Sequence, residues 1–584
     1  MHVVATAGHV DHGKSTLVRQ LTGMEPDRLA EERDRGLTIE LGFAWTRLAD
    51  TRLAFVDVPG HHRFVSTMLA GLGPVPAVMM VVAADEGWMP QSQEHLDALH
   101  ALGVQHGLLV VTKSDRADPA PAMADAATRL AATSLGTVPA VAVSGRTSAG
   151  LPELRRALAD VVAGLPGPDL DADVRLWVDR AFTVRGAGTV VTGTLAAGTI
   201  RAGDVLAVSG AEREVRVRGL HTLGQPTTTA AAVARVALNL QGIEATSISR
   251  GDAVLTPRRW TRADVVDVRV RRAQAGELNR EQVLHTGSAA VPVRVRALGS
   301  DSARLRLHRP LPLRVGDGGL LRDPGLHLIS AGIEVLDIDP PSLSRRGAGA
   351  ARAAELRGAD AAALSISLIR RRRFVRADEL AVAGLPPAGR LVSGWAVDGA
   401  VWEELIDAAR DRVDQWHRVD PVAAGAPVQA LRRELAVPST EIMLAVLREG
   451  GLVVDGGIAR HGGQQLPARV IQGLDALDAH LAERPFQAPD AGQLNRWGLG
   501  ARELAAAERL GRLTRITDHV VLGAEALAAA TTVLRTIPQP FTVSQARVAL
   551  NTTRRVAIPL LERLDSAGFT RKRPDDTRVA PPET

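Results

Sequence analysis

The chain has 584 residues, 45% of them hydrophobic and 23% charged, with a formal net charge of +5; a single core stops growing well below that length, so several domains are expected. There is no cysteine, which excludes disulfides, cysteine-ligated zinc and a cysteine nucleophile, while the modest positive balance suits a nucleic-acid partner without demanding one. No apolar run approaches the roughly 20 residues of a membrane span, and residues 1–6 enter a strand with no charged leader, so a cytoplasmic protein without membrane contact is expected.

Residues 1–168 alternate apolar runs of strand length (Val3 to Ala7, Leu53 to Val58, Ala77 to Ala84, Leu108 to Val111, Val138 to Val143) with helical patterns. That order predicts a parallel sheet covered on both faces, with ligands at the carboxyl ends of its strands. The first run ends in Gly8, His9, Val10, Asp11, His12, Gly13, Lys14 and Ser15, followed by Thr16. This is the G-x-x-x-x-G-K-[ST] phosphate loop, placed between a strand and a helix as the motif requires. Backbone N–H groups would cradle the phosphates, Lys14 would reach the β- and γ-phosphates, and Ser15 would ligate Mg²⁺. Lysine is scarce: only Lys14, Lys113 and Lys572 occur among seventy basic residues. Two of the three therefore sit in nucleotide-reading segments, where an arginine fork cannot replace a compact ammonium.

Four further segments narrow the nucleotide to GTP/GDP. Asp57 ends a strand and is placed to hold Mg²⁺, and Gly60 lets the backbone approach the γ-phosphate. Thr38 would close on Mg²⁺ only when that phosphate is present. Thr112, Lys113 and Asp115 form the base-reading segment, in which Asp115 accepts the paired guanine donors, and Ser144 and Gly145 supply backbone contact to the base. His61 directly follows the Asp-x-x-Gly segment and is the candidate catalytic residue, orienting the attacking water.

Together His9-Val10-Asp11-His12-Gly13-Lys14, Arg35-Gly36-x-Thr38-Ile39, Asp57-Val58-Pro59-Gly60-His61 and Met89-Pro90-Gln91-x-x-Glu94-His95 resemble the translational GTPases of the elongation factor Tu group. The resemblance implies that the ribosome positions His61 and that Val10 and Leu37 form an apolar gate beside it. In that group the base-reading segment carries Asn where this chain has Thr112, which removes an amide that braces the loop. The segment Glu25 to Ile39, and residues 179–194 at the start of the second domain, are similar to the selenocysteine-specific elongation factors of the SelB family. That likeness implies delivery of selenocysteinyl-tRNA to the ribosome at a UGA codon.

After a linker at 164–169, helical periodicity gives way to short alternating strands separated by glycine-containing turns, the pattern of small β-barrels. Two are expected, at 172–258 and 262–338. The family resemblance places Asp179, Arg180, His221 and Arg235 at a selenocysteine pocket. A selenolate is anionic at neutral pH, so two arginines and a histidine suit it, with Asp179 orienting an arginine.

Beyond residue 338 a unit of about sixty residues recurs: a short helix, a second helix, a glycine, then a hairpin. This reads as tandem winged helices, at 350–420, 421–468, 469–526 and 527–584. The fold class is thus a multidomain chain: an α/β P-loop G domain, two β-barrels, then tandem winged helices. The last copy holds nine basic and five acidic residues, concentrated at Arg554, Arg555, Arg571, Lys572 and Arg573, which would bind RNA. In the family this domain grips the mRNA hairpin that recodes UGA. Pro559 falls in the recognition helix and should kink it. Another tRNA-delivering or initiating GTPase, a GTP-gated RNA-binding regulator, and the GTPase subunit of a sulfate-activating enzyme are the competing readings. The chain is expected to be monomeric, with selenocysteinyl-tRNA, the hairpin and the ribosome as partners.

Overall fold

The structure is a computed structural model that describes residues 2–26, 41–48, 51–59, 65–72, 75–211, 213–326, 328–462 and 466–582. The chain divides into two compact units, residues 1–388 and 389–584.

The first unit begins with the G domain. Its strands are β1 (His2–Ala7), β2 (Gly42–Leu48), β3 (Thr51–Asp57), β4 (Ala77–Ala83), β5 (His106–Thr112) and β6 (Ala140–Ala142), in sheet order β2-β3-β1-β4-β5-β6. All neighbours run parallel except the β2–β3 hairpin. β4 is buried along its whole length, as an Ala-Val-Met-Met-Val-Val-Ala run covered on both faces must be. The helices are α1 (Lys14–Thr22), α2 (Val65–Leu72), α3 (Pro90–Leu102), α4 (Pro119–Ala131) and α5 (Leu151–Ala163). Sequence spacing explains their docking: in α5 the stripe Leu151, Leu154, Leu158 and Val162 is buried, one face of a 3.6-residue period. The expected parallel sheet is observed over β3-β1-β4-β5-β6, and the antiparallel edge strand β2 was not foreseen.

Two barrels follow. The first contains β7 (Arg175–Val184), β8 (Gly188–Leu195), β9 (Thr199–Arg201), β10 (Val205–Val208), β11 (Arg213–Thr222), β12 (Gln225–Thr227), β13 (Thr229–Ala231), β14 (Ala234–Gln241) and β15 (Ala253–Leu255). Its main sheet runs β10-β15-β7-β8-β14-β11-β12, and β10 also pairs with β11, which closes it. The second is a closed barrel, β16-β19-β18-β17-β20-β21, built from β16 (Arg262–Arg271), β17 (Glu281–Thr286), β18 (Ala289–Ala297), β19 (Ser302–Pro312), β20 (Gly318–Arg322) and β21 (Ile329–Asp337). The barrels are bolted together by charge and stacking. Arg175 donates to Asp317 and Arg314 to Asp173 at 2.6 Å, and both guanidinium groups lie over Trp260, at 4.5 and 3.7 Å from its ring centroid.

Two helices of the expected first winged helix, α6 (Ala348–Leu356) and α7 (Ala361–Arg372), belong to this same unit. An ion network fastens them to the second barrel. Asp267, fully buried, accepts from Arg304 at 2.7 Å and from Arg352 at 2.8 Å, while Asp337 accepts from Arg352 and from Arg371 at 2.9 Å. The division at 388/389 consequently falls inside the segment 350–420.

The second unit opens with a hairpin (Arg390–Val392 and Trp395–Val397) and a long helix, Gly399–Val419. The winged-helix order then repeats. Helices Val428–Glu434 and Thr440–Glu449 precede the hairpin Leu452–Asp455/Ile458–His461. Ala491–Arg496 and Ala501–Arg509 precede Leu513–Thr517/Val520–Gly523. Val543–Ala549 and Arg554–Ser566 precede Arg571–Lys572/Arg578–Val579. The last two copies share one hydrophobic core, in which Leu494, Leu504 and Val521 join Leu550, Leu560 and Leu564. The helix Arg554–Ser566 continues through Pro559.

Candidate functional site

At the end of β1 the backbone turns at Gly8, with φ of +134°. A Cβ there would lie 2.1 Å from the carbonyl oxygen of Val81, so only glycine fits against β4. Gly13, with φ of +81°, ends the loop, and Lys14 opens α1. The Lys14 ammonium is buried and donates back to the loop carbonyls of Gly8 (3.0 Å) and His9 (2.7 Å). Two residues of α3 hold the loop from the side. His95 Nδ1 accepts the Gly8 N–H at 3.0 Å, and Gln91 Oε1 accepts the Val10 N–H at 3.3 Å. Burial, and then the nearby Lys14, lower the His95 pKa to about 3. The ring is therefore neutral, with Nδ1 as acceptor. Neither Gln91 nor His95 was given a role from sequence, although their spacing of four residues on one helix face was the available signal. The His12 ring is fully buried beneath the loop, with Nδ1 3.3 Å from the Val81 carbonyl, and burial lowers its pKa to about 4.

The base-reading side also departs from expectation. Thr112 does brace the phosphate loop: its buried hydroxyl donates to the His12 carbonyl at 2.7 Å. The amide that was expected to be missing is thus replaced by a shorter side chain on the same strand end. Asp115 is positioned by the Ser144 hydroxyl, which donates to its Oδ1 at 2.7 Å; that hydrogen bond leads the causes lowering the Asp115 pKa. Ser144, expected to act through its backbone, thus contributes its side chain. The Gly145 carbonyl is taken by Gln20 at 3.0 Å. Lys113 pairs with Asp85 (3.2 Å) and Glu86.

Asp57 is fully buried. Its Oδ1 accepts from Thr6 at 2.6 Å, and among the described residues its Oδ2 has no donor in hydrogen-bond geometry. Burial raises its pKa, with Lys14 and Ser15 opposing. A fully buried carboxylate beside the Ser15 hydroxyl suits a hard divalent cation, whose charge would reverse that shift. Leu37, Thr38, Gly60 and His61 lie outside the described residues.

A second site lies where the G domain meets the first barrel. Arg180, His221 and Arg235 line a cleft of about 410 Å³ together with Phe43, Trp45, Phe182 and Thr192. Asp179 grips the Arg235 guanidinium through both carboxylate oxygens, at 2.8 Å for the longer bond, and accepts from Thr192 at 2.6 Å. The structure thus brings together the four residues that the resemblance assigned to the pocket, with Asp179 turned to an arginine.

Comparison with known proteins agrees with this layout. The elongation factor Tu GTP-binding domain model matches residues 1–163, the elongation factor Tu domain 2 model residues 188–255, and the SelB winged-helix model residues 532–579. The selenocysteine-specific elongation factor of Escherichia coli K12 is 33% identical over 623 aligned residues, covering 98% of each chain. The chain belongs to the selenocysteine-specific elongation factor family. As a member of that family it is a translational GTPase that binds GTP and GDP. The family's factor from Desulfomicrobium baculatum is 37% identical over 337 residues, 55% of this chain and 53% of that protein. A crystal structure of the bacterial factor EF-Sec matches over the full length of both chains, with a TM-score of 0.73 and 25% identity. The fold is also that of SelB from Methanococcus maripaludis in complex with the GTP analogue GPPNHP (TM-score 0.52, 24% identity, 58% of this chain and 79% of that one).

In this family member the basic residues expected to bind RNA in the last winged helix are all exposed but differ in what they touch. Arg554 is exposed at the start of the recognition helix, and Arg571, Lys572 and Arg573 are exposed on the wing. Lys572 pairs with Asp576 at 2.8 Å. Arg555, in contrast, donates to the carbonyls of Ala488, Pro489 and His519 in the preceding winged helix. Its two terminal nitrogens thus help hold two copies together, which its sequence position did not reveal. No helix among the described residues is long and apolar enough to cross a membrane.

Proposed function

We propose that the chain carries selenocysteinyl-tRNA to the ribosome in its GTP form and is held at UGA codons by an mRNA hairpin bound to the last winged helix. It would act in the cytoplasm as a monomer. The observation that carries this reading is the cleft, where two guanidinium groups and an imidazole converge beside the GTPase domain. Such a cluster, partly shielded from water, suits a selenolate and offers little to a neutral hydroxyl. At the nucleotide, Ser15 and Asp57 would hold Mg²⁺, with Thr38 joining them, and the ion screens phosphate charge when bound. Lys14 neutralises the transferring group, Asp115 selects guanine, and His61 orients the attacking water behind the Val10–Leu37 gate. Release of the tRNA would follow hydrolysis. Equilibrium binding of selenocysteinyl- and seryl-tRNA to wild type and Arg235→Ala tests the pocket. The selenocysteinyl form should lose at least tenfold in affinity, in line with a charge-assisted contact of about 1.5–3 kcal/mol, and the seryl form far less. Equal losses would refute it.

A further inference from the structure

The two arginines of the cleft are engaged by the G domain. The Arg235 guanidinium carbon lies 3.9 Å from the centroid of the Phe43 ring, and that of Arg180 lies 5.9 Å from the same centroid. Arg180 also donates to the carbonyl of Leu41 at 2.9 Å. Arg235 thus has its fork on Asp179 and one flat face on an aromatic ring. Both G-domain groups come from the edge strand β2 and the residue before it. Phe43 and Trp45 project from one face of that strand, as alternate residues must. Trp45 packs so closely on the barrel hairpin that a Cβ at Gly224 would stand 3.0 Å from its ring. On the neighbouring strand, Phe43 pairs with Val56 and Gly42 with Asp57. The ring in the cargo cleft therefore sits one rung from the carboxylate at the nucleotide's metal position.

We propose that Phe43 is the residue through which the GTPase domain sets access to the cargo pocket, its ring competing with the cargo's anionic side chain for Arg235 and Arg180. This rests on the selenocysteine reading of the cleft given above. A guanidinium face stacked on an aromatic ring is partly desolvated and already stabilised. An anion can claim it only when β2 withdraws. A shift of β3 at Asp57 carries β2, and Phe43 with it, because the ladder between the two strands is continuous from Gly42 to Leu48. The nucleotide state is then read out as a change in how many guanidinium donors the cargo finds, with no contact between nucleotide and cargo.

The test uses the full chain and selenocysteinyl-tRNA, with affinity measured in GDP and in a non-hydrolysable GTP analogue for wild type, Phe43→Leu and Phe43→Trp. Leucine keeps the apolar packing and removes the π face; tryptophan keeps a π face. Phe43→Leu should bind the tRNA about 5- to 30-fold more tightly in GDP, the span expected for a half-buried cation–π contact. It should change less in the GTP analogue, so that the ratio between the two states shrinks, while Phe43→Trp retains the wild-type ratio. An unchanged ratio in Phe43→Leu, weaker binding by it in GDP, or a ratio lost equally in both variants would overturn the proposal. Wild type that fails to hold selenocysteinyl-tRNA even with the GTP analogue would instead overturn the cargo reading beneath it.

Discussion

The Thr112 brace can be tested by removing one atom's function. The Thr112 hydroxyl donates to the His12 carbonyl at 2.7 Å in a buried setting, and among the described residues its only other acceptor within reach is the Val82 carbonyl at 3.4 Å. Having one proton, the hydroxyl must give it mainly to His12. Thr112→Val keeps the side-chain outline and removes the donor, leaving a buried carbonyl without a partner, at a cost of about 1–3 kcal/mol. Part of that cost falls on the nucleotide-free loop and lowers stability. The rest falls on the bound state, because a carbonyl seeking a donor displaces the adjoining N–H groups from the phosphates. An even split leaves about 0.5–1.5 kcal/mol in binding, or roughly 2- to 13-fold weaker affinity. Titration with a fluorescent GDP analogue should show that loss for Thr112→Val and wild-type affinity for Thr112→Ser, which retains the hydroxyl. Thr112→Val binding GDP as tightly as wild type would refute the claim that this hydroxyl positions the loop.

Other expectations follow from the buried charges and rings. His12 and His285, with pKa values lowered to about 4, and His95, lowered to about 3, are all held neutral chiefly by burial. Below about pH 6.5 the unfolded chain takes up these protons and the folded chain does not. Stability should therefore fall with acidification from 6.5 towards 4, by about 1.4 kcal/mol per pH unit for each histidine; urea midpoints at pH 6.5 and 5 that coincide would contradict this. Arg352→Ala should lower stability by about 3 kcal/mol, the low end for a broken buried pair, because Arg304 still serves Asp267. A melting temperature within a degree of wild type would show that the network is not what holds α6. In the last winged helix, Arg571→Ala with Lys572→Ala should reduce the slope of log affinity for an RNA hairpin against log salt by about 1.4–1.8. Arg555→Ala should also lower the melting temperature, since its guanidinium donates to three protein carbonyls. An unchanged salt slope in the double variant would move the RNA elsewhere.

Much of the chemistry was legible in the order of residues because it is local. A phosphate loop needs glycines, a lysine and a hydroxyl at fixed offsets between a strand and a helix, and Gly8 to Ser15 can serve only there. The alternation of strand and helix in the G domain, the switch to short strands after residue 168, and the recurring winged-helix pattern were equally legible, since period and turn chemistry act over a few residues. The sequence by itself thus determined the nucleotide, the class of machine and the order of its parts.

What only the tertiary structure decided is who meets whom across long separations. Thr112 looked like a missing amide until the fold set its hydroxyl a hundred residues away against His12. Gln91 and His95 became loop anchors only once α3 lay beside β1. Arg555 gave no sign from sequence of its three carbonyl partners in the preceding copy, and Phe43 none that it would stack on Arg235. A side chain's partners are fixed by packing, where a guanidinium goes to whichever carboxylate, carbonyl or ring the fold leaves within a few ångströms, and one-dimensional spacing carries no record of that choice.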